Sequence, residues 1–185
     1  MRTALIAMLA LAVPALAAGQ SMQRVSIQGS GALVIPAAEE SGFQSATRLG
    51  WEGQFRYTFS RFSLGAGYQR ATVFKNAGAG EFTSAVSVLF VEPRYILAAG
   101  SQAALYVAGR GGVGQFVCTP ASSCPEQAWE LAFGGGGGVL VRLSERAAID
   151  LGSQFFSFQY TLANPPGAKS RPGYLLARVG LSLGL

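Results

Sequence analysis

The sequence predicts an all-β fold, an eight-stranded antiparallel up-and-down transmembrane β-barrel, on three observations. The segment Arg171–Leu185 alternates, with Leu175, Ala177, Val179, Leu181, Leu183 and Leu185 on one face and Tyr174, Arg178, Gly180, Ser182 and Gly184 on the other. That is period 2, which no helix can sort. The connections between strand candidates alternate strictly between short and long. Finally, 50% of the chain is hydrophobic and only 12% is charged, against about 25% charged in an ordinary soluble domain, so something other than water is expected to face much of the surface.

The strand candidates are Arg24–Ile35, Thr47–Thr58, Phe62–Val73, Phe82–Leu97, Ala103–Phe116, Ala128–Leu143, Ala147–Tyr160 and Arg171–Leu185. Each exceeds the roughly 9–11 residues that cross a bilayer at a tilt. Spacers Phe59–Arg61, Ala98–Gln102 and Ser144–Arg146 are short, whereas Pro36–Ala46, Phe74–Glu81, Val117–Gln127 and Thr161–Ser170 are long. Short periplasmic turns and longer external loops give this alternation, and hairpin connections of these lengths join sequence neighbours.

Upstream of the first strand, Arg2 precedes an apolar run from Ala4 to Val13, then Pro14 and Ala15-Leu16-Ala17. Charged region, apolar region and A-x-A site together read as a secretory signal peptide over residues 1–17, leaving 18–185 as a single barrel domain. The formal net charge of +5 falls to +4 without Arg2, and the basic residues are scattered singly. No nucleic-acid partner is expected from that pattern.

Facing follows strand by strand. In the second strand Leu49, Trp51, Phe55 and Tyr57 oppose Arg48, Glu52, Gln54 and Arg56; in the sixth, Trp129, Leu131, Phe133, Val139, Val141 and Leu143 oppose Glu130 and Arg142. The fifth sets Leu105, Val107 and Val113 against Arg110, and the seventh sets Ile149, Leu151 and Phe155 against Asp150 and Gln154. In the fourth strand Glu92 and Arg94 share their face with Val86, Val88 and Phe90, which requires either a bulge or a partly apolar outer lumen. Two barrels satisfy these faces. A membrane barrel puts the apolar face to lipid and collects Glu52, Arg56, Glu92, Arg94, Arg110, Glu130, Arg142, Asp150 and Arg178 in the lumen as an ion-pair network. A soluble, lipocalin-like ligand carrier reverses the faces. Periodicity does not choose between them; low charge and the scarcity of lysine, only Lys75 and Lys169, favour lipid outside.

The signal peptide, the eight-strand spacing, Glu92-Pro93-Arg94-Tyr95, the glycine-rich Ala108–Gly114 strand and the alternating last strand together resemble the small eight-stranded outer-membrane barrels of the OmpA, OmpX and opacity-protein kind, over the whole mature chain. The resemblance implies a bacterial outer-membrane location, lipid as surroundings and the barrel-assembly machinery as a partner during biogenesis. Members of that family usually end in an aromatic residue, whereas this sequence ends in Leu185.

Several motifs are read against sharper alternatives. Gly109, Gly111 and Gly114 match G-x-G-x-x-G, but strand continues through Val113, Gln115 and Phe116 where a dinucleotide site needs a helix. They are read as room in a crowded wall. The run Gly134–Gly138 is read as close backbone approach or a bend in strand six. Cys118 and Cys124 sit in the third long loop and are expected to form a disulfide in an oxidising compartment, worth about 2 kcal/mol by loop closure. With no histidine anywhere, zinc sites and imidazole-dependent hydrolysis are excluded. A catalytic carboxylate pair among Glu52, Glu92, Glu130 and Asp150 is the weaker alternative to ion pairing, because buried charge must be paired. Aromatic girdles are expected at both ends, from Tyr57, Phe59, Phe62 and Tyr95 at one and Phe82, Phe116, Trp129, Tyr160 and Tyr174 at the other.

The expected function is non-enzymatic and cofactor-free: membrane integrity, or adhesion to an extracellular or host surface through the external loops. A narrow pore for small solutes or ions and a soluble periplasmic lipocalin-like ligand carrier are the alternatives.

Overall fold

The computed structural model describes residues 24–36, 48–76, 82–119, 128–161, 169–171 and 173–185. Barrel strands are β1 (Val25–Pro36), β2 (Arg48–Phe59), β3 (Phe62–Asn76), β4 (Phe82–Ala99), β5 (Ala103–Thr119), β6 (Glu130–Arg142), β7 (Ala147–Phe158) and β10 (Gly173–Gly184). They close in the order β1-β10-β7-β6-β5-β4-β3-β2. Every neighbouring pair is antiparallel, and the first and last strands zip from Ser26↔Gly184 to Pro36↔Tyr174. Closure leaves no edge, so the backbone hydrogen bonds are satisfied without water, as a hydrocarbon surrounding demands.

The short turns are tight. Phe59 and Phe62 pair directly across Ser60 and Arg61, and Ser60 has φ 54°, a positive value that matches the twist of a two-residue hairpin. Register shifts occur at Thr72/Phe74 between β3 and β4 and at Ile96/Ala98 between β4 and β5. Neither lies between Val86 and Glu92, so no bulge separates the apolar and charged residues of β4.

Several boundaries differ from the sequence-based expectation. Tyr160–Thr161 (β8) and Lys169–Ser170 (β9) leave the barrel to form a separate two-stranded ribbon, so β7 stops at Phe158. The β3 strand runs on through Phe74 and Lys75, and β5 runs on through Cys118, which pairs with Ser84. Cys118 therefore belongs to a strand and not to the loop; Cys124 lies outside the described residues, as do residues 1–17.

Candidate functional site: a lumen closed by side chains

Alternation decides what each strand gives the interior. Leu49 is 72% exposed and Val179 62% exposed on the outer surface, while Glu92 and Asp150 are 0% exposed inside. The apolar face is outside and the charged face inside, which removes the lipocalin-like arrangement.

The heart of the lumen is Glu92. Its Oε1 accepts Arg56 Nη2 at 2.7 Å and Arg94 Nε at 2.8 Å; its Oε2 accepts Arg110 Nε at 2.9 Å and Arg178 Nη1 at 3.1 Å. Gln154 Nε2 adds a fifth donor at 3.1 Å. Glu52 bridges Arg110 Nη1 at 2.9 Å and Arg178 Nη1 at 3.0 Å. Asp150 takes Arg94 Nη2 at 2.8 Å, Gln28 Nε2 at 2.6 Å and the Tyr106 hydroxyl at 2.6 Å. Four arginines thus face three carboxylates, a local charge of +1. Desolvating seven charges is costly, and pairing with saturated hydrogen bonding offsets that cost. All three carboxylates act here as acceptors, from guanidiniums and from the neutral donors Gln28, Tyr106 and Gln154.

Two of the expected members stand apart. Glu130 and Arg142 are the first and last residues of β6, so they mark opposite ends of the lumen. Glu130 is half-buried at the loop end and accepts Gln159 Nε2 at 3.1 Å; the Gln159 carbonyl oxygen in turn accepts Arg171 Nη2 at 2.6 Å. Arg142 lines a cavity at the short-turn end. Sequence reasoning missed Tyr106, Gln28, Gln69 and Gln159, although all but Gln159 share strand parity with lumenal charges or polar residues. Tyr106 matters most, since its hydroxyl also accepts Arg178 Nη2 at 3.0 Å and its ring lies 4.4 Å beneath the Arg94 guanidinium.

Towards the loops the lumen turns apolar. Val34, Val86, Val88, Phe90, Phe156 and Phe158 pack there with Tyr174 and Leu176. The Arg110 guanidinium lies 3.8 Å over the Phe90 ring, joining the ionic layer to the apolar one through a cation–π contact. Phe158 stacks on Tyr174 at 5.9 Å and on Phe116 at 6.3 Å. Tyr174 and Phe116 therefore fill the lumen and are not girdle residues, because their parity points them inward. At the short-turn end Tyr57, Phe59 and Phe62 do form a linked aromatic row, with centroids 6.2 and 5.0 Å apart, and Tyr95 is exposed on the same surface. Higher up, Trp51 packs on Tyr68 at 5.4 Å and Trp129 is exposed; the side chains of Phe82 and Tyr160 fall outside the described residues.

The glycines divide by face. A Cβ on Gly136 or Gly138 would collide with the carbonyl oxygens of Ser153 or Leu151, so the run serves close approach of β6 to β7. Gly109 and Gly111 face outward with almost nothing near them, so crowding does not explain those two.

No protein-family model matches the chain, and no curated protein matches it in sequence. Solved structures do. The crystal structure of Neisserial surface protein A (NspA) superposes with TM-score 0.69 at 14% identity, over 87% of this chain and 97% of that one. The solution structure of E. coli outer membrane protein W gives TM-score 0.51 at 12% identity, over 88% and 98%. With an apolar exterior, a charged interior and these neighbours, the chain is an eight-stranded antiparallel β-barrel with the fold of the small bacterial outer-membrane barrel proteins.

Proposed function

We propose that residues 18–185, freed of a signal peptide over 1–17, reside in the bacterial outer membrane as a non-enzymatic barrel that acts through its external loops, in surface attachment or in maintaining membrane integrity. The observation that carries this reading is the filling of the lumen by two successive layers, one ionic around Glu92 and one apolar around Phe90 and Phe158. A barrel filled with side chains has little room to conduct or to process a substrate. The absence of histidine from the whole chain also speaks against hydrolase chemistry. Interaction then falls to residues 37–47, 120–127 and 162–168, with an extracellular or host surface as partner, lipid around the apolar belt, and the barrel-assembly machinery engaged during insertion.

The test is fractionation of expressing cells combined with external protease and a binding assay to host-cell surfaces. Recovery in the outer membrane, cleavage within residues 120–127 on intact cells and loss of binding after exchange of those residues are expected. Release without detergent would sink the proposal.

A second reading, a narrow pore, is favoured by one feature: the short-turn end of the lumen is an open cavity reaching Arg56 and Arg94. Single-channel recording in planar bilayers separates the two. The closed reading expects no steady conductance, whereas a pore expects conductance that changes when Arg110 or Arg142 is neutralised.

A further inference from the structure

The short-turn mouth of the lumen is built differently from the rest. It holds a cavity of about 60 Å³, open to solvent, and Arg56, Arg94 and Arg142 from three different strands line it. Each of these arginines presents a buried N–H that has no hydrogen-bond partner among the described residues: Arg56 Nε, Arg94 Nη1 and Arg142 Nη2. Arg94 is 1% exposed, and its other two nitrogens are already committed to Glu92 and Asp150. Arg142 makes no ion pair with any described carboxylate.

Charge balance points the same way. The ionic layer behind the cavity carries four arginines against three carboxylates. The cavity adds Arg142 and Arg146 against the single acid Glu145, giving six cations and four anions, or +2 overall. Buried donors seek acceptors, and water supplies an acceptor but no charge. Ser26, Ser63 and Ser182 add hydroxyls to the same wall. Ser63 Oγ already accepts Arg56 Nη1 at 3.0 Å, which leaves its proton directed elsewhere. Three guanidiniums and several hydroxyls offer more donors than the roughly four acceptor positions of a carboxylate take up, and suit a tetrahedral oxyanion. Entry is from the short-turn end alone, since the ionic and apolar layers close the other side.

We infer that this vestibule binds a free phosphate-class oxyanion, held by Arg56, Arg94 and Arg142. The site is independent of the loops and goes beyond the function proposed above.

The test uses the protein folded in lauryldimethylamine oxide, which carries no phosphate, with arginine side-chain Nε–Hε signals followed by NMR while sodium phosphate replaces sodium chloride at constant ionic strength. Saturable shifts of the Arg56, Arg94 and Arg142 signals are expected, with the outward-facing Arg70 signal unmoved. In Arg142→Gln the apparent Kd should weaken about tenfold or more, the size of one lost charge-assisted hydrogen bond. An identical response to phosphate and chloride, or shifts that include Arg70 equally, would mean that the vestibule holds only water. A parallel titration with short-chain phosphatidic acid separates the sources: shifts seen with the lipid and not with inorganic phosphate overturn the free-ion assignment. The wild-type titration decides the matter even where Arg142→Gln fails to fold.

Discussion

Replacing Glu92 with glutamine keeps the shape of the side chain and removes the charge around which four guanidiniums are arranged. Glu92 is wholly buried, and Arg56, Arg94, Arg110 and Arg178 all donate to it. The layer goes from four cations and three anions, +1, to four cations and two anions, +2, with no change in the desolvation already incurred by the arginines. Removing one member of a buried ion network costs about 3–5 kcal/mol. For a small barrel with a urea slope of about 2 kcal/mol/M this moves the midpoint down by about 1.5–2.5 M. The assay is urea unfolding in lipid vesicles, followed through the fluorescence of Trp51 and Trp129 and by heat-modifiable gel migration. Glu145→Gln is the reference, on the exposed β6–β7 turn, where an effect within about 0.5 kcal/mol is expected. Combining Glu92→Gln with Arg110→Gln should cost less than the sum of the two, because each removes a partner of the other. A Glu92→Gln loss below about 1 kcal/mol, or strict additivity with Arg110→Gln, would refute the reasoning: the lumen would then be wet enough to screen these charges.

Leu151→Arg, on the outer surface beside Asp150 and flanked by Val139 and Val179, should lower folding yield into vesicles by about 2–4 kcal/mol, the penalty for arginine at the bilayer centre; Ser182→Arg, facing the open vestibule, should be tolerated better, and the reverse ranking would argue against a lipid-facing exterior. Gly136→Ala should destabilise by about 1–3 kcal/mol through overpacking against the Ser153 carbonyl, whereas Gly31→Ala, with nothing within 4 Å of the added carbon, should be neutral; equal unfolding midpoints would show that β6 and β7 yield freely. Replacing Cys118 and Cys124 together with serine should leave the heat-modifiable folded band intact and make residues 120–127 easier to cleave from outside, since a bridge there would start at the end of β5 and not close the barrel; loss of the folded band would show that the bridge holds the barrel together.

How much of this was legible beforehand follows from what a period of 2 encodes. It assigns every strand residue to one of two faces, so Glu52, Arg56, Glu92, Arg94, Arg110, Asp150 and Arg178 fall on one side, and alternating spacer lengths are enough for an up-and-down order. Periodicity carries no height, however. Glu130 and Arg142 share that side but lie about 40 Å apart along β6 at roughly 3.3 Å per residue, so one layer cannot hold both. The same blindness let Tyr174 and Phe116 pass for girdle residues when their parity already sent them inward.

By itself, then, the sequence determined the strand count, the order and the two faces, because a one-residue slip would exchange every side chain between them. Only the tertiary structure decided which face is enclosed, since a closing sheet can curl either way without changing its alternation. It also decided which charges meet. Tilt and stagger around a closed barrel bring Glu92 of β4 level with Arg178 of β10, 86 residues away in the chain, and that meeting depends on the register of every strand between them.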